Sequence, residues 1–291
     1  MPPFGLAESL ADSGLPGGDA SPGAVPPDPD HPVAHAIASL RHHLEHLERM
    51  IGPEVTVAEH VEARAAAGAE SRLRPAWQRA NDGEERLPVV AVIVVAIGLQ
   101  LALPGHFLIK PGWLLPGLEG VLLVALTVAN PRKIDRTSTW LRAASIGLIA
   151  VISLANGWSS ALLVHGIIEG TEGQAPTPLL ATGASIYLTN IIVFALWYWE
   201  WDRGGPVARA QGLRPYPDFL FPNMTAPNLS PPSWVPTFID YLYLSFTNAT
   251  AFSPTDTLPL ARWGKMLMML QSAVALITVA LVVARAVNIL K

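Results

Sequence analysis

The run from Met266 to Leu290 constrains this chain more than any other stretch. It carries a single charge, Arg285, and it exceeds the ~20 apolar residues that one bilayer crossing needs. A helix apolar on every side is buried in a large core or in lipid. Four more apolar runs precede it, at about 87–109, 113–129, 140–168 and 179–199. Charged residues make up only 14% of the chain, against roughly 25% in soluble domains. The expected fold class is therefore all-α, a polytopic membrane helix bundle whose first partner is the lipid bilayer. A net charge of −4 argues against a general nucleic-acid binder. The absence of cysteine removes disulfides, thiolate metal sites and cysteine nucleophiles.

Ahead of the spans lie two segments of different character. Residues 1–32 are rich in Pro, Gly, Asp and Ala without apolar periodicity, the composition of a disordered tail. The start, MPPFGLAESLADSG, has no basic n-region or apolar h-region, so the first span is expected to direct insertion itself. Residues 33–86 read as a cytosolic helical region. Val33, Ile37, Leu40, Leu44, Leu47 and Ile51 recur at the a/d spacing of a coiled-coil seam, and Gly52-Pro53 ends that helix. A second helical stretch is expected from Glu54 to about Arg72. The seam suits a homo-oligomer, or packing against this second stretch. His35, His42 and His46 fall on the outer face and read as a solvated polar surface; no metal or other cofactor is expected.

Basic residues assign the sides. Arg72, Arg74, Arg79 and Arg86 put the N-terminus in the cytosol, and Arg132, Lys133, Arg136 and Arg142 put the second loop there. The expected location is the cell membrane, multi-pass. Arg203, Arg209 and Arg214 follow the fourth span and fit the same side. The segment 237–253 either crosses or dips and returns. Arg262 and Lys265 exchange sides with Arg285 and Lys291 between these options, so charge counting does not decide. A short helix at about 237–250 carrying Asp240 and Asn248 favours a re-entrant element, giving five spans plus one dip.

The turn behind that helix, Thr250-Ala251-Phe252-Ser253-Pro254-Thr255-Asp256, leads into Thr257-Leu258-Pro259 and the last span. It resembles the pore loop of potassium-channel-like proteins: Ser245, Phe246, Thr250, Asp256 and Pro259 match, and both filter glycines are replaced. Asp240 to Thr247, Ser253 to Asp256 and Ala286-Val287-Asn288 look still more like an uncharacterised bacterial membrane-protein family, a domain of unknown function. That likeness covers roughly the last 60 residues and implies five spans without an established activity. The missing glycines matter physically. A potassium filter needs backbone states that glycine adopts, whereas Pro254 locks φ near −65°. The stack of carbonyl rings gives way to a wider ring of hydroxyls and carboxylates from Thr250, Ser253, Thr255 and Asp256, attracting monovalent cations with weak selectivity. Otherwise these residues simply cap the helix and begin a turn.

Further polar groups lie within the apolar runs. Glu119 is costly in a span unless it sits near the interface. Asn156, Asn190 and Gln271 are expected to hydrogen-bond between helices, with Asn248 and Gln271 supporting the loop. His165, close to Glu169, reads as an interface residue. No enzyme signature is present. The expected function is a channel-like, weakly selective cation pore. The alternatives are a non-conducting membrane scaffold, or a small proton-coupled transporter using Glu119 and Asp256.

Overall fold

The structure is a computed structural model; residue 36 and residues 38–46, 74–129, 138–173, 175–250 and 256–289 are described. The chain divides into two units, Met1–Gly68 and Ala69–Lys291. In the first, residues 38–46 form a helix whose Leu40 and Leu44 are exposed. The other seam positions, His35, and the expected stretch 54–72 lie outside the described residues.

Among the described residues, the regular elements of the second unit are helices and one short ladder. Its helices are α1 (Leu87–Leu101), α2 (Leu114–Ala129), α3 (Thr139–Glu169), α4 (Pro176–Trp201), α5 (Pro206–Ala210), α6 (Pro222–Thr225), α7 (Phe238–Thr250) and α8 (Arg262–Ile289). Two-residue strands β1 (Phe219–Leu220) and β2 (Leu258–Pro259) pair antiparallel. Among the described residues, α3, α4 and α8 are long and apolar enough to cross a membrane. An all-α bundle with three such helices has the make-up of a membrane protein.

Helix α4 is the hub. Asn190 to Leu196 are buried without a break, the mark of a helix enclosed on all sides. It packs on α1, α3, α7 and α8. Gly183 allows a close approach: a Cβ there would stand 2.9 Å from both methyls of Val282 on α8.

The apolar run at 87–109 is not one helix. Helix α1 stops at Leu101, because Pro104 lacks the N–H a further turn needs and its ring clashes with the preceding turn. A 3-10 turn, Gly105–Phe107, follows. Leu103 and Phe107 then fold inward onto Leu163, Leu179 and Val282. At ~1.5 Å per residue, α1 and α2 are about 22 and 24 Å long.

Two ends of the bundle can be told apart by contacts. At one, Arg142 of α3 meets Glu200 at the end of α4, and Glu84, just before α1, meets Arg209. Trp263 at the start of α8 packs on Trp201, and Phe238 at the start of α7 packs on Trp199. Helices α7 and α8 therefore begin at the same end of α4, and the β1·β2 ladder lies there too. Arg86, Arg142, Arg203, Arg209, Arg214, Arg262 and Lys265 all belong to this basic end. At the far end, His106 contacts Glu172 at 2.9 Å and Arg285 donates to the Glu172 carbonyl.

Candidate functional site

Helix α7 begins at the basic end, and a set of buried amides and hydroxyls ties it to α4 and α8. The sequence repeats polar residues there at helical spacing, with Ser245 and Asn248 on one face of α7 and Gln271 and Ser272 on α8. Gln271 is fully buried and its amide satisfied on both sides. Its Nε2 donates to the Ser245 carbonyl and hydroxyl at 3.0 and 2.7 Å. Its Oε1 accepts from the Tyr198 hydroxyl at 2.6 Å and from Asn248 Nδ2 at 2.8 Å. Asn248 Nδ2 also donates to the Met268 carbonyl, and Ser245 Oγ donates to the Ile191 carbonyl at 2.6 Å. Three helices, α4, α7 and α8, are thus tied at one level. Asn248 and Gln271 are thus interhelical ties.

Beyond this tie, α7 ends at Thr250, which is exposed and whose hydroxyl donates back to the Phe246 carbonyl. Ser253 and Thr255 lie outside the described residues. Asp256 is exposed, and Thr257 behind it is buried. Of the four candidate loop residues, Thr250 and Asp256 are thus both open to the surroundings.

A second polar cluster lies where α7 and α8 begin. Asp202 follows α4 directly and is fully buried. It accepts from the Tyr241 hydroxyl of α7 at 2.6 Å and from the Asp218 amide at 3.0 Å. Asp218 in turn accepts from the Arg203 amide at 2.7 Å and from Trp263 Nε1 at 3.3 Å. Arg203 has φ 53 and is followed by Gly204 and Gly205 at φ 85 and 99, a reversal that glycine makes cheaply. Its guanidinium donates to the carbonyls of Trp77 and Arg214. Arg209 donates to the Trp199 and Asp202 carbonyls at 2.6 and 3.0 Å and to Glu84 at 2.7 Å. Its carbon centre lies 5.0 Å from the Tyr241 ring. Burial alone would lower the Arg209 guanidinium, but Tyr241, Glu84 and Asp202 together raise it above its ordinary value. Burial lowers Arg86, which stays a cation.

Sequence reading missed this cluster. Asp202, Arg203 and Arg209 stand in a Pro- and Gly-rich stretch without helical period, so they looked like loop charges. The one available signal was Asp202-Arg203-Gly204-Gly205 directly behind an aromatic-rich helix end.

The remaining polar positions behave differently from one another. Glu119 is fully buried and accepts from Gln100 Nε2 at 3.4 Å. Its Oε2 and Gln100 Oε1 have no partner among the described residues. Asn190 is buried, but its Nδ2 has no partner among the described residues, contrary to the interhelical bond expected of it. His165 is exposed and pairs with Glu169 at 3.2 Å within α3.

Beside Glu200 lies a cavity of about 340 Å³, walled by α1, α2, α3, α4 and the 204–213 segment. No protein-family model, curated protein or solved structure matches the chain.

Proposed function

We propose that this chain is a multi-pass protein of the cell membrane, with five crossings and one re-entrant hairpin, that forms a weakly selective path for monovalent cations. In this reading α1, α2, α3, α4 and α8 cross, and α7 dips in from the cytosolic side and returns. The observation that carries it is the pairing of α7 with α8. Both start at the end marked by Trp199 and Trp201, yet Asn248 meets Met268 and Gln271, two turns into α8. A 13-residue helix spans about 20 Å, less than the roughly 30 Å of hydrocarbon. The short α1 and α2 are accommodated by local bilayer thinning. The clustering of basic residues at the α7 entrance supports a cytosolic basic end and N-terminus.

The path runs past Thr250, Ser253, Thr255 and Asp256 of several copies. Two features support an oligomer: the exposed outer face of α8, with Met266, Met269, Ile277 and Val283, and the exposed Leu40 and Leu44 of the first unit. Kinship with the bacterial family of unknown function belongs to the same proposal and rests on residues 240–247, 253–256 and 286–288.

Cation flux into liposomes holding the purified protein tests the conduction. Flux above that of empty liposomes, reduced severalfold by Asp256→Ala, is the expected result. No flux from folded, inserted protein contradicts the pore and leaves the membrane scaffold.

A further inference from the structure

Glu119 of α2 is fully buried, and Gln100 of α1 is only 4% exposed. One bond joins them, from Gln100 Nε2 to Glu119 Oε1 at 3.4 Å. The other oxygen of each group, Gln100 Oε1 and Glu119 Oε2, meets no donor among the described residues. An amide oxygen and an ionised carboxylate can only accept. What the pair lacks is therefore a donor or a cation.

The protein's own charges do not supply it. Among the described residues no charged side chain acts on Glu119. Helices α1 and α3 pack on α2, and α1 carries no ionisable residue. On α3, Arg142 meets Glu200 at the basic end and His165 pairs with Glu169. In the segment between α1 and α2, His106 contacts Glu172, and both His106 and Lys110 are exposed. A carboxylate buried without a partner is strongly unfavourable, and it is relieved by neutralisation or by a bound cation. Gln100 also belongs to the last turn of α1, where helix carbonyls carry partial negative charge and favour a cation.

There is room for a small particle beside the pair. A void of about 10 Å³ is lined by Gln100, Ser159 and by Leu108, Ile109 and Gly112 of the turn before α2, about the space one water occupies. Lys110 and Pro111 of that turn are exposed, so only the turn screens the void from the surroundings.

We propose that Glu119 and Gln100 form a buried, exchangeable site for one monovalent cation, a proton or a sodium ion. Both bring the single positive charge that Glu119 lacks. A proton on Glu119 Oε2 turns that oxygen into a donor; a sodium ion takes the carboxylate and the Gln100 oxygen as ligands. No residue of the α7–α8 hairpin belongs to the site, so it stands whether or not the hairpin conducts.

The test is infrared difference spectroscopy of the full chain in lipid films. The pH is stepped at fixed sodium, and sodium is then exchanged for choline at fixed pH. Wild type is expected to show a Glu119 signal in one of the two steps. A carboxylic-acid band that grows on acidification identifies the proton, and a carboxylate shift on adding sodium identifies sodium. Glu119→Gln is expected to lose the signal, and Glu119→Asp to keep it at an altered position. No carboxyl signal in either step means that the pair holds water alone and overturns the proposal. A wild-type signal left unchanged by Glu119→Gln or by Glu119→Asp overturns it too. Because Glu119→Asp keeps the carboxylate, misfolding of Glu119→Gln leaves the test intact.

Discussion

Gln271 shows how one side chain holds three helices. In Gln271→Leu the Tyr198 hydroxyl loses its acceptor, Asn248 and Ser245 lose partners, and all are buried or half-buried. Unsatisfied buried groups cost about 1–3 kcal/mol, while single interhelical bonds in membranes average only ~0.6. A loss of about 2 kcal/mol in detergent unfolding is the expected outcome, and a loss near zero would mean the tie is incidental. Arg209 is a harsher case. Arg209→Ala leaves Glu84 with the Trp199 indole N–H but without its cation in a nearly buried setting, and breaking such a pair costs about 3–5 kcal/mol. Arg209→Lys should restore little, because an ammonium cannot reproduce the planar fork that meets Glu84 and two carbonyls. The two residues also differed in legibility. Gln271 stood out as an amide inside an apolar run. Arg209 did not, because its partners come from 84, 199 and 202, and only the folded chain brings them together.

Among the elements, α4 and α8 are in close contact where Gly183 faces Val282. A methyl at 183 collides with both valine methyls at 2.9 Å, and overpacking costs about 1–3 kcal/mol. Gly183→Ala is expected to destabilise by that amount, and Val282→Ala to recover most of it in the double variant. Equal loss in the single and double variants would contradict close packing at this point. The long helices were readable from the apolar runs to within a few residues, since length and hydropathy alone set them. Helix α1 was overextended to 109 because hydropathy continues through Leu103 and Phe107. Those residues serve the core from a turn, and Pro104 ends the helix.

For the whole molecule, the sequence left one tie unbroken: whether Arg262 and Lys265 share a side with Arg86 and Arg142. Contacts between residues far apart in the chain, such as Trp263 with Trp201 and Asp218, put the start of α8 at the same end of the bundle as the end of α4, and the proposed topology takes that end as cytosolic. The chain has no cysteine, so single cysteines report without background. The most direct test is reaction of a membrane-impermeant maleimide with Ser233→Cys, Leu260→Cys and His106→Cys variants in sealed vesicles of known orientation. Ser233 and Leu260 flank the hairpin, His106 lies at the far end, and all three are exposed. If α7 is re-entrant, the first two variants label from the cytosolic face and the third from the opposite face. Labelling of the Ser233 and Leu260 variants from opposite faces would show that the hairpin crosses, and would contradict this account of the fold in the membrane.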